Sequence, residues 1–339
     1  MLKKSRLRMA IVAFALTNCC LLFAGFFAPY SPAEQHRDLA YAPPVRLHFV
    51  DQGGQLHVRP FVYGIAVAEG DGFQYREDRS RVSRIQFFER RNGALHFFTV
   101  EPQGESFLLG TDGYGRDIFS RILFGGRISL AAAALATFLS LVIGTGLGAI
   151  AGYFGGAFDA IIMRGSEIAL ALPWLYLLLA IRAILPLHIS ATETFVLVSG
   201  VIGVVGWARP ARLIRGVVLS ARERSFVTAA RGFGASEWYL LRRHVLPQTW
   251  GIVITQAVIL IPQFVTAEAT LSFLGLGMAE PLASWGNMLS AFQQFQVMSS
   301  YWWMAAPAAA LVIVSLTYFN LADVVHAKTA RLKSGQSYA

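Results

Sequence analysis

The stretch Thr228-Ala-Ala-Arg-Gly-Phe-Gly234, followed thirteen residues on by Pro247 in His244-Val-Leu-Pro, is the most patterned polar segment of the chain. Its residue types suit docking rather than bond-making. Positions 209–243 hold eight arginines against two acids, Glu223 and Glu237. Positive charge of this density keeps a short loop on the cytoplasmic side of a membrane. The order of residues predicts a helix over 220–231 that Gly232 and Gly234 end. A second helix follows, capped by Ser236 with Glu237 in its first turn. Pro247 falls where the next membrane helix begins. Two short helices on a glycine elbow make a rigid knob that projects from the bilayer.

Bond-making chemistry finds no support elsewhere. A phosphate-cradling loop needs Gly-Lys followed by Ser or Thr, and none of Lys3, Lys4, Lys328 and Lys333 follows a glycine. No His/Cys cluster has metal-ligand spacing, and no Gly-x-Ser-x-Gly elbow occurs. The expectation is a chain that is not an enzyme and binds no metal. The only cysteines, Cys19 and Cys20, are adjacent inside an apolar run, which excludes a disulfide framework.

The elements that position the knob are membrane helices. The chain is 55% hydrophobic and 14% charged, with mean hydropathy +0.50; soluble domains are about 25% charged. Six apolar spans read near 9–28, 130–152, 167–187, 194–213, 249–273 and 303–324, each near the ~20 residues that cross a bilayer. The first reads as a retained anchor rather than a cleaved signal. Sixteen of the 29 basic residues fall in pieces assigned to one side: Lys3, Lys4, Arg6, Arg8, Arg164, the eight loop arginines, Lys328, Arg331 and Lys333. The short loops assigned to the other side, 188–193 and 274–302, hold no Lys or Arg. Both termini are therefore expected inside. The basic balance reflects this orientation and not nucleic-acid binding.

Residues 29–105 differ in texture. Strands are expected over 45–50, 56–65, 84–91 and 94–100, with turns at Gly53-Gly54 and Asn92-Gly93. This predicts a small, mostly β, extracytoplasmic domain, serving either as a structural cap or as a contact surface for a substrate-binding protein or a lid over the pathway. Over 106–129 the alternating charges Asp112, Arg116, Asp117, Arg121 and Arg127 flank Ile118, Phe119 and Ile122, which predicts a helix lying at the outer interface. In the next span Ala132, Ala136, Ser140, Gly144, Gly148 and Gly152 recur every four residues. Small residues at that spacing let another helix approach closely.

Few polar groups enter the membrane. Glu268 follows Trp250 by about 27 Å of helix and is a pathway candidate. Pro262 favours a kink in the same helix, and Gly275 and Gly277 permit a turn after it. Arg164 and Glu167 read as a structural pair on the inner face.

The knob resembles the "EAA" loop of ABC-transporter permeases, which runs Glu-Ala-Ala, three residues, Gly, nine residues, then a hydrophobic-x-Leu-Pro ending. Ala229, Ala230, Gly234, Leu246 and Pro247 fall on that pattern, whereas Thr228 stands for the glutamate and His244 for an isoleucine. Leu109-Gly-Thr-Asp-Gly-Tyr-Gly-Arg-Asp-Ile118, Gly126-Arg-Ile-Ser-Leu130, Ala267-Glu-Ala-Thr-Leu-Ser-Phe-Leu-Gly-Leu-Gly277 and Ser284-Trp-Gly-Asn-Met288 are similar to segments of the dipeptide/oligopeptide/nickel branch. Within it they resemble the second of the two permease subunits. The resemblance covers 105–330 and most of the first helix, not 40–100.

The resemblance implies an all-α polytopic protein of the bacterial cytoplasmic membrane. It would have six transmembrane helices and a small, mostly β extracytoplasmic insertion after the first helix. The expected divisions are a tail and first helix over 1–28, the insertion over 29–105, the interfacial helix over 106–129, a five-helix core over 130–325 and a cytoplasmic tail over 326–339. A coupling loop spans 209–248 in the core, with Thr228, Ala229, Ala230, Gly234, Ala235, Ser236, His244, Leu246 and Pro247 as its contact residues. Implied partners are a homologous permease as heterodimer, two ABC ATPase subunits, an extracytoplasmic substrate-binding protein and membrane lipid. ATP and magnesium would sit on the ATPases, with no cofactor on this chain. Two alternatives stay open: a cargo of nickel or another small solute, and a channel or sensor outside the family with a β ectodomain.

Overall fold

Among the described residues, three helices are long and apolar enough to cross a membrane, and the number rises to five if two bent pairs each count as one span. The computed structural model describes residues 2–67, 75–91, 93–101, 104–184 and 190–335. Helices α1 (Leu2–Leu22) and α2 (Ala24–Phe27) precede strands β1 (His48–Val50), β2 (Leu56–Val67), β3 (Tyr75–Arg91) and β4 (Ala94–Val100). Next come α3 (Ile118–Phe154), α4 (Gly156–Ala171), α5 (Trp174–Ile184), α6 (Ala191–Val205), α7 (Ala208–Arg222), α8 (Ser225–Gly232) and α9 (Glu237–Leu240). The chain ends with α10 (Trp250–Phe273), α11 (Trp285–Leu289), α12 (Phe295–Ser300) and α13 (Ala306–Gly335). The apolar part of α1 covers Leu7–Leu22, shorter than the expected 9–28, because the helix breaks at Phe23.

The chain divides into two compact units. The first holds Met1–Phe14, Leu130–Leu271 and Val314–Ala339. Its central seam is the small-residue stripe of α3 against α7. A Cβ on Gly144 would lie 2.8 Å from Pro210 Cβ, and one on Gly152 would lie 2.8 Å from the Arg215 carbonyl oxygen. At Gly148 a Cβ would overlap the Ala211 backbone. Glycine is what lets the two backbones meet, and in lipid such contact replaces the hydrophobic drive. Further up the stripe, Gly203 of α6 packs on Ala136, and Ala132, Ala136 and Ser140 are buried. Arg215 also forms a bidentate pair with Asp159 of α4.

The second unit holds Ala15–Ser129 and Ser272–Ile313. Its sheet is antiparallel in the order β1-β2-β3-β4, with a register shift between Tyr63 and Gly64. Val62, Ile85, Phe98 and Val100 form the core on one face. Strand β3 starts at Tyr75, well before the expected 84, because its first half alternates charged, exposed residues and carries no apolar stripe. Asn92 of the expected Asn-Gly turn lies outside the described residues, as do residues 188 and 189 of the loop 188–193.

The expected interfacial helix over 106–129 is corrected. Residues up to Asp117 form a loop closed by a Thr111–Asp117 bridge, and the helix that follows is the start of α3. Asp117 caps it, accepting from the Ser120 N–H at 2.8 Å. Ile118 is buried in protein, not dipped into headgroups. Burial pushes the Asp117 carboxyl up to about 6.

Candidate functional site

The knob is built on the C-terminal end of α7. The expected single helix over 220–231 is two, because Arg224 is extended (φ −69°, ψ 144°) and α8 restarts at Ser225. A tertiary contact accompanies this break: the Arg222 guanidinium donates to the Gly152 and Tyr153 carbonyls at 3.1 and 3.2 Å. Gly234 closes α8 at φ +83°, a conformation that favours glycine, and the Ala235 N–H returns to the Ala230 carbonyl at 3.2 Å. Ser236 caps α9 through the Tyr239 N–H. Glu237 in the first turn is held by Arg231 at 2.9 and 3.1 Å and by the Tyr153 hydroxyl.

Inside, the knob is a hydrophobic core. Val227, Leu240, Leu241 and Val245 pack with Ile214, Val218 and Ala221 of α7 and with Ala149 and Tyr153 of α3. Ala230, Ala235 and Leu246 lean against it. Outside, the knob presents aromatics and cations. Phe233 is 93% exposed and Trp238 58%, Arg242 lies over the Trp238 ring, and His244 sits against Phe226 and Tyr239. Thr228, Ala229 and Pro247 are exposed on the same body. Exposed aromatics with arginine are the residue types that anchor protein interfaces. Sequence reasoning missed Phe233; a phenylalanine flanked by two glycines in a polar loop was the available signal.

From the knob the chain runs without a break into the membrane. A π-turn over Leu241–Val245 and a 3₁₀ turn over Leu246–Thr249, with Pro247 in its first turn, lead into α10. The backbone from Glu237 to Phe273 forms one 37-residue helical rod.

The first unit also holds a cavity of about 640 Å³. Three interrupted helical elements converge on it. Pro173 separates α4 from α5, which meet at 94°. Gly206 marks the 45° bend between α6 and α7, and Pro210 follows one turn later. Pro262 interrupts the hydrogen bonding of α10. Pro173, Gly206 and Pro262 all line the cavity, beside Trp174, Phe264 and Phe319. Irregular backbone at membrane depth is tolerated where it lines a cavity, and solute sites in transport proteins are built from such broken helices.

The other expected pathway residues are not gathered there. Glu268 is fully buried and has partners within the fold. Gly275 (φ +76°) and Gly277 belong to the second unit, where they shape a turn; a Cβ on Gly277 would strike the Ser272 backbone. Beyond that turn, Glu280 grips Arg116 at 2.8 and 3.0 Å and Arg121 at 2.8 Å, and Asp112 completes the cluster. The alternating charges of 112–121 are thus a buried network, which the sequence could not show without its distant partner.

Comparison with known proteins covers most of this ground. Residues 144–331 match the family described as binding-protein-dependent transport system inner membrane component. The chain is 41% identical over 215 residues to a peptide permease protein of Brucella suis, covering 63% of this chain and 69% of that one. It is 34% identical over 220 residues to the dipeptide transport system permease protein DppC of Bacillus subtilis, covering 65% and 67%. To the glutathione transport system permease protein GsiD of Pectobacterium atrosepticum it is 36% identical over 213 residues, covering 63% and 68%.

Proposed function

We infer, because the chain belongs to the family of binding-protein-dependent transport system inner membrane components, that it is one permease subunit of an ATP-driven peptide importer. It crosses the cytoplasmic membrane six times with both termini inside, and its β insertion faces outward. A homologous permease completes the pathway, two ATPases bind below and hydrolyse ATP with magnesium, and a substrate-binding protein delivers cargo from outside. The relatives' named cargoes, peptides, dipeptides and glutathione, support peptide over nickel.

The observation that carries this reading is the rod from Glu237 to Phe273. Its lower end is the knob, packed inside and aromatic outside. Its upper half carries Pro262, Phe264, Thr266 and Ala267 into the cavity. An ATPase that grips Phe233 and Trp238 and closes on ATP displaces the rod. The cavity wall moves with it, since a packed helix transmits displacement rather than absorbing it. Coupling therefore needs no chemistry on this chain.

Gly234→Asp tests the reading. Space beside Gly234 is open, so the cost is about 1–2 kcal/mol of left-handed backbone strain plus a carboxylate on the docking face. The subunit should still insert at the wild-type level, whereas ATPase association should weaken about tenfold or hydrolysis should run without uptake. Wild-type uptake by the reconstituted complex, with normal ATPase affinity, refutes the coupling role.

A further inference from the structure

The cavity at the three helix breaks has a polarity that its apolar walls obscure. Its lining contains no acid and, among the described residues, one charged group, Arg209. Arg209 is the second residue of α7, it is exposed, and among the described residues it has neither an ion-pair nor a hydrogen-bond partner. Three arginines of the same unit are held by others, Arg215 by Asp159, Arg222 by carbonyls and Arg231 by Glu237; what sets Arg209 apart from the remaining arginines is its place in the cavity lining. A guanidinium carries five donors and no acceptor and cannot shed its charge. It shares the cavity lining with Trp174, Phe264 and Phe319.

The same cavity offers acceptors. Pro210 has no N–H to give to the Gly206 carbonyl, and Pro173 has none for the Ala169 carbonyl; Gly206 and Ala169 both line the space. Thr266 spends its hydroxyl proton on the Pro262 carbonyl at 2.9 Å, leaving its oxygen as a further acceptor. A planar cation, backbone carbonyls and aromatic walls together match a short apolar solute with a carboxylate at one end and N–H donors along its length. We propose that Arg209 is the carboxylate-recognising residue of this cavity, and that a peptide enters it with its C-terminal carboxylate on the guanidinium. This rests on the peptide-import reading and deepens it: Arg209 makes the free C-terminus part of what the permease itself selects.

The test uses the complete permease–ATPase complex in nanodiscs with the substrate-binding protein left out, so that only the membrane site is read. The probes are Ala-Phe and its C-terminal amide, measured by equilibrium binding. The wild type should bind the acid about tenfold more tightly than the amide, the size of one charge-assisted hydrogen-bonded contact. Arg209→Gln should bring that ratio below about twofold, and Arg209→Lys, which keeps charge without the planar fork, should fall between. Co-purification of the ATPases at wild-type yield reports that each variant is assembled. An acid preference that survives Arg209→Gln overturns the assignment, as does a wild type that binds acid and amide alike. A wild-type complex that binds neither peptide and imports neither once the binding protein is restored sinks the peptide reading itself.

Discussion

The two ends of α7 solve opposite problems. At its C-terminal end the helix is enclosed: Ile214, Val218 and Ala221 are buried beneath the knob, Arg222 ties to α3, and Ser236 caps α9. At its N-terminal end the helix borders space: the backbone bends by 45° at Gly206, and Gly206, Ala208 and Arg209 line a cavity. In the proposed coupling one end transmits force, and it is the end packed around a hydrophobic core. In the same proposal the other end admits a solute, and it is the end where the helix bends and Arg209 faces the cavity. Packing and openness coexist because Gly144, Gly148 and Gly152 fasten the same helix to α3 along its length.

The seam is where the contrast breaks most severely. Gly148→Leu places a branched side chain where even a Cβ overlaps the Ala211 backbone. Overpacking costs about 1–3 kcal/mol where side chains can yield, and here backbone would have to move. Assembled complex recovered by co-purification should fall about tenfold, while Leu147→Ala, a half-buried neighbour off the stripe, should stay near wild type. Equal losses in both would remove the seam from the account.

The cavity end should fail differently. Pro262→Ala restores the missing N–H and a residue that favours helix by about 3 kcal/mol, so assembly should be unchanged or improved. Uptake should fall severalfold, because the helix loses the irregularity that shapes the cavity wall. If assembly falls and uptake per assembled complex does not, the break serves folding and not the pathway.

These sites were legible in the sequence to different degrees, for physical reasons. The knob was readable because its signals are local: Gly234 for a left-handed turn, Ser236 for a cap, Pro247 for a first turn. The four-residue stripe was readable because helical periodicity encodes a face. The break at Arg224 was not, since it accompanies the anchoring of Arg222 on carbonyls seventy residues away. Nor was the Arg116–Glu280 pair, whose members lie 164 positions apart. The cavity had a visible signal, prolines in three apolar spans, but only the fold shows that Pro173, Gly206 and Pro262 meet.

The central claim is that the knob's aromatic face touches an ATPase. The direct measurement is a cross-link from Phe233→Cys, in a chain whose Cys19 and Cys20 are replaced, within the membrane-embedded complex and using a short thiol-to-amine reagent. The account predicts one dominant adduct to the ATPase subunit, whose yield changes when ATP is added. A complex that imports peptide yet gives no ATPase adduct from this position, while a neighbouring exposed site such as Trp238→Cys gives none either, would contradict it.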